Sequence, residues 1–374
     1  MERRQRVVQI VATLVTVVLA ALVVIGLTST RLGGRPGTAA SSAPIAAHDY
    51  GPPPADIDLL YVHDPDHPGW LTGMDWSGTP RATVKLDATT SGAQMAPDGH
   101  IFAIGLNAKG GAWQFLDGLG TPIAAPSTLA GALLPMWADD SRHVCSTTLD
   151  QQTLNWTLWT ELPGQAPKQV RVVATDATLG ETMVRVVACS FKNDLAIAER
   201  ITQSWPSEHW LIRISDGAVL RDEKGGGAAL AGFTASADTT LLAENSSLSI
   251  GETGDNAPST LVVRAADGSV VSTLDPSMGV LAFNGDDSTA LVTLTPWTGD
   301  RPVHLGIVDL QSGHLVWQDN TNPFFFGQFV AEPGGKSFAI AYPATNTYPS
   351  LATIVIVGPS GVPTALDRAY TPAW

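Results

Sequence analysis

Beyond residue 54 the apolar positions gather in short β-rich runs separated by tight turns. One unit recurs: a small or apolar run, a tight turn and a second β-rich run. Its clearest copy is Gln94-Met95-Ala96-Pro97-Asp98-Gly99-His100-Ile101-Phe102-Ala103-Ile104. Five degenerate copies follow at Met136–Ser141, Cys189–Asn193, Thr234–Asp238, Phe283–Asp287 and Ala331–Gly335, each leading into an apolar strand and spaced about 40 to 53 residues apart. A second signal accompanies each copy, a hairpin turn bearing a glycine that supplies φ > 0. These turns end at Gly78, Gly118, Gly164, Gly217, Gly268, Gly313 and Gly361.

Seven hairpins against six first turns leave one repeat short of a strand. The C-terminal run Ala369-Tyr370-Thr371-Pro372-Ala373-Trp374 resembles the run into Trp137 and can supply the innermost strand of a repeat whose other strands come from about Leu59 to Leu86. Four strands repeated seven times with a strand-swapped closure predicts an all-β, seven-bladed β-propeller over residues 55–374, with six blades as the alternative. The copy Ala96-Pro97-Asp98-Gly99, followed by an apolar strand, resembles the bacterial WD40-like, TolB-type propeller repeat. That resemblance implies the fold and commonly a protein-interaction role. It carries over no functional residue.

The N-terminus follows a different pattern. Val7 to Leu27 are 21 consecutive uncharged residues, mostly Val, Leu, Ala and Ile, behind Arg3, Arg4 and Arg6. That length spans a bilayer, and the arginine bias keeps residues 1–6 in the cytoplasm. The expectation is a single-pass signal anchor at 7–27 in the plasma membrane with the propeller outside. A signal peptide cut near Thr38-Ala39-Ala40 or Ala43 is the alternative. Residues 28–54 lead into the domain, and from Arg35 their Gly, Ala, Ser and Pro content is that of a flexible spacer.

Charge narrows the partners. The 374-residue chain has a net charge of −14, and beyond residue 6 it carries −16, with 18 basic against 34 acidic residues. Nucleic acid and an anionic lipid surface are disfavoured by repulsion. No Gly-x-Ser-x-Gly, His-Glu-x-x-His, Cys-x-x-Cys or Walker sequence is present, and no cofactor is expected.

In a propeller the first-to-second and third-to-fourth turns share one end of the sheets, and the longer, more variable connections lie at the other. Loops on a rigid scaffold concentrate binding residues. On the long connections the candidates are Trp205, His209, Trp297, Asp300, Arg301, Tyr342 and Tyr348, aromatic and arginine side chains that suit recognition of a protein or envelope component. The same residues could instead pack their own loops. His63-Asp64-Pro65-Asp66-His67 places two imidazoles and two carboxylates within five residues, so His63, Asp64, Asp66 and His67 are candidate metal ligands; a solvated Pro turn is the competing reading. Asp98, Asp140, Asp238 and Asp287 read as turn residues bonding their own backbone. Cys145 and Cys189, assigned to adjacent repeats, are expected to be two buried thiols, with a disulfide as the alternative. Two functions remain open: a membrane-anchored, extracytoplasmic binding module, or a metal-assisted hydrolase or lactonase using the central channel.

Overall fold

A computed structural model of the chain describes residues 49–64, 67, 69–86, 90–106, 113–129, 135–150, 152–174, 183–201, 208–224, 233–244, 260–295, 303–319, 328–343, 351–366 and 371–372. The expected cytoplasmic tail, anchor and nearly all of the spacer lie outside them. No helix among the described residues is long and apolar enough to cross a membrane.

The described residues form seven antiparallel sheets. Sheet I joins β1 (Leu60–His63), β2 (Trp70–Met74) and β3 (Pro80–Lys85) to the last strand of the chain, β27 (Thr371–Pro372). Sheet II holds β4 (Thr90–Met95), β5 (Ile101–Leu106) and β6 (Trp113–Asp117). Sheet III holds β7 (Met136–Trp137), β8 (Val144–Leu149), β9 (Trp156–Glu161) and β10 (Lys168–Ala174). Sheet IV holds β11 (Met183–Ser190), β12 (Leu195–Ile201), β13 (Glu208–Arg213) and β14 (Val219–Lys224). Sheet V holds β15 (Phe233–Ala235), β16 (Leu241–Glu244), β17 (Thr260–Arg264) and β18 (Val270–Leu274). Sheet VI holds β19 (Gly279–Phe283), β20 (Thr289–Thr293), β21 (Leu305–Asp309) and β22 (Leu315–Gln318). Sheet VII holds β23 (Phe329–Ala331), β24 (Phe338–Pro343), β25 (Ala352–Val357) and β26 (Pro363–Ala365).

Among the described residues sheet II has three strands and no regular fourth one. The segment Thr121–Ser127 runs beside β6, donating from Ile123 N to Phe115 O (3.1 Å) and from Ser127 N to Trp113 O (2.7 Å). Its pairing with β6 is a single isolated bridge, Leu116↔Pro122, and not a continuous ladder. In sheet I, β27 pairs with β1 through Val62↔Pro372 and His63↔Thr371.

Middle strands such as Leu305-Gly306-Ile307-Val308 bury both faces, which is why they read as continuous apolar runs instead of alternating ones. The core is divided accordingly, with apolar clusters lying between successive sheets. One further cluster joins Leu60, Val62 and Met74 of sheet I to Ala339, Ile354, Ile356 and Leu366 of sheet VII, so the order of packing returns to its start. Ile354 is fully buried there, and cutting it to alanine would open a cavity costing about 2–5 kcal/mol.

The expectation of two free thiols is overturned: Cys145 and Cys189 form a disulfide with a Cα–Cα separation of 6.1 Å. Placement in adjacent repeats does not by itself bring two cysteines within bonding range. Here β11 packs directly against both β7 and β8, so the two residues face the same apolar cluster and can be bridged.

Candidate binding face

The turns at one end of the sheets are held by strained backbone and by their own side chains. Each of the six first-to-second turns marked in the sequence contains a residue with positive φ: Gly99, Ser141, Asp194, Thr239, Asp287 and Gly334. Only two are glycine, which explains why the repeat looks degenerate: the backbone conformation recurs while its usual residue does not. Asp98, Asp140 and Asp238 bond their own turns as expected, through the N–H groups of His100, Arg142 and Thr240. The fourth position departs from the expectation. There Asp286 takes the Ser288 N–H, while Asp287 meets the Thr240 hydroxyl of the neighbouring sheet. Among the third-to-fourth turns, the left-handed glycine of sheet II is Gly120, and Gly118 is not one.

This end is also stapled from sheet to sheet. Asp98 N donates to Ser141 Oγ (2.9 Å), Ser190 Oγ to Asp139 (2.6 Å), Asn193 to Asp238 O (2.7 Å) and Gly285 N to Gly335 O (3.1 Å). Most of the connections at the opposite end lie outside the described residues, and with them Trp205, Trp297, Asp300, Arg301, Tyr348 and Asp66.

The candidates that are described are placed differently from the expectation. His63 ends β1, and burial holds its imidazole below the ordinary range. Asp64 and His67 do come together, at 3.5 Å, in a turn where the His67 ring lies tilted by 31° against Trp70 with ring centroids 5.1 Å apart. Among the described residues no three His, Cys, Asp or Glu side chains are grouped to hold a metal ion. His209 and Tyr342 belong to strands β13 and β24, and both are buried instead of standing on exposed loops. Tyr342 bonds Asp319, and burial followed by that carboxylate pushes its phenol well above the usual range.

Sequence reading missed a line of charge across sheet IV. Arg185 on β11, Glu199 on β12 and His209 on β13 are direct cross-strand neighbours. Arg185 Nε and Nη2 lie 2.9 and 2.8 Å from Glu199 Oε2, and His209 Nε2 lies 3.3 Å from Glu199 Oε1. Glu199 is 4% exposed and His209 6%, whereas the Arg185 side chain is 51% exposed. Burial works to raise the Glu199 carboxyl, but the His209 hydrogen bond and the Arg185 charge outweigh it and hold the group below its ordinary value. On the other side of the sheet Arg200 pairs with Glu208 and lies 5.9 Å from the Trp210 ring. The only sequence signal was charge at strand ends, Glu199-Arg200 and Glu208-His209, flanking one connection.

The first strands of successive sheets lie against one another, from β7 through β11, β15 and β19 to β23. They carry neither Asp, Glu nor His, and Arg185 is their one charged side chain.

No protein-family model matches the chain, and no curated protein matches it. Solved structures do. A prolyl endopeptidase, from work on inter-domain dynamics in catalysis and specificity, aligns at TM-score 0.55 and 13% identity over 85% of this chain and 50% of that one. Prolyl oligopeptidase B from Galerina marginata aligns at TM-score 0.54 and 10% identity, over 79% of this chain and 44% of that one. The chain has a β-propeller-like all-β fold. A eukaryotic initiation factor structure aligns at TM-score 0.50 and 12% identity, over 89% of this chain and 94% of that one. The chain spans about half the length of the two peptidases it matches. At these identities the likeness concerns the fold alone.

Proposed function

We propose that the seven sheets are the blades of a seven-bladed propeller of the WD40-like, TolB-type kind, held outside the plasma membrane by the segment 7–27. Its role is that of a binding module whose long-connection end docks a protein or an envelope component. The observation that carries this reading is the asymmetry of the two ends. One end is closed by short turns bonded from sheet to sheet, and the long connections belong to the other. The Cys145–Cys189 disulfide supports an exported domain, because such bonds persist in oxidising compartments. A channel hydrolase would need carboxylate or imidazole ligands converging on the centre, and the first strands supply neither.

The test is cross-linked affinity purification of the full-length protein from its native membranes, read by mass spectrometry. A stoichiometric partner that is lost when Trp205, Trp297 and Arg301 are changed to alanine is the expected result. Recovery of the chain in the soluble fraction would remove the anchor, and a partner retained by the triple variant would move the docking site elsewhere.

A further inference from the structure

We propose that Arg185 is the recognition group of a binding site for a monoanionic ligand with an apolar body, such as an aryl or short-chain carboxylate, at the long-connection end of sheet IV. The inference deepens the binding role proposed above and rests on that end being the binding end. Three observations carry it.

First, the guanidinium is aimed. Its Nε and Nη2 are engaged by the buried Glu199 carboxylate, whose other oxygen faces the buried His209. Nη1 has no partner among the described residues, and half of the side chain remains exposed. A guanidinium fixed on one edge and open on the other loses little rotamer freedom when it receives a carboxylate. Second, the setting is apolar. Met183, two residues before Arg185 on the same side of β11, is 39% exposed, and Val187, two residues after it, is partly buried. Elsewhere the first strands present Ala235, Leu281, Phe329 and Ala331 as partly buried groups. An apolar ligand body gains from covering such surface. Third, the charge balance selects a single negative charge. The chain beyond residue 6 carries −16, so each added ligand charge increases the repulsion, and no second basic side chain stands on the first strands to offset it. Phosphates and polyanions are therefore poor ligands.

The experiment follows the ¹³C-methyl signals of the methionines in the full-length protein while benzoate is added, with benzylamine and inorganic phosphate as controls. The Met183→Leu variant assigns the Met183 signal. Benzoate should shift it saturably, benzylamine and phosphate should not, and Arg185→Gln should weaken the apparent affinity at least tenfold. Arg185→Lys should retain part of it. The signal of buried Met74 reports whether each variant keeps its fold. A Met183 signal that does not move with benzoate, or that moves equally with benzylamine, overturns the anion site. So does a benzoate shift that survives Arg185→Gln in a folded protein. The cross-linking experiment separates this result from the wider reading: a partner still lost in the Trp205, Trp297 and Arg301 triple variant upholds the binding end even if benzoate fails.

Discussion

Replacing both cysteines by alanine removes the disulfide cross-link between sheets III and IV, and its cost follows from chain length. The residues are 44 positions apart. Closing a loop of that size in the unfolded chain removes entropy corresponding to about 4 kcal/mol at 25 °C. Both residues are fully buried, so losing the sulfur atoms adds a packing loss of about 1 kcal/mol. Unfolding entropy of roughly 2.1 cal/mol/K per residue gives about 0.7 kcal/mol/K for a domain of this size. The expected fall in melting temperature is therefore roughly 7 °C. Either single variant should fall nearly as far, because one sulfur cannot form the bond. Circular dichroism melts of the oxidised full-length protein measure the shift, and alkylation of the unfolded, non-reduced protein counts free thiols. A double variant melting within about 1 °C of the parent would refute the reasoning, as would two alkylated thiols in protein that had never been reduced.

Two glycines of equal backbone conformation separate strain from space. Gly313 (φ +72°) has nothing within 4 Å of an added Cβ, whereas at Gly217 (φ +71°) the Cβ would lie 2.4 Å from Val170 O. Gly313→Ala should cost about 1–2 kcal/mol, the left-handed penalty alone. Gly217→Ala should cost clearly more in urea unfolding, and equal losses would contradict the packing of that turn on sheet III. The Asp287 carboxyl is pushed up to about 6, chiefly by burial and further by Asp238, against an ordinary 3.8. Its neutral form is favoured in the fold, so its contribution is fully present below pH 3.8 and is lost as pH rises through 6. Asp287→Asn keeps a neutral side chain that tolerates the left-handed backbone, and should gain melting temperature relative to the parent between about pH 4 and pH 8. An unchanged difference across that range would show that Asp287 is already ionised.

The sequence determined the succession of strands and turns, because those signals are local. Asp267-Gly268 and Ser312-Gly313 announce hairpins through residues that accept positive φ, and the apolar runs beside them announce buried strands. It also put the final segment beside β1, since a repeat missing one strand leaves an open edge and the run at 369–374 resembles a first strand. Tertiary structure alone decided the rest. Ser141, Asp194, Thr239 and Asp287 adopt left-handed conformations because the turns around them demand it, against their own preference. His209 and Tyr342 lie in buried strands and not in loops through a boundary shift of a few residues, and each is matched there with a carboxylate. Cys145 and Cys189 meet because β11 packs on β8, and Arg185, Glu199 and His209 become neighbours only through strand register. Pairings of this kind depend on which strands lie side by side and at what offset, which is fixed by the packing of whole sheets and not by any property of the paired residues.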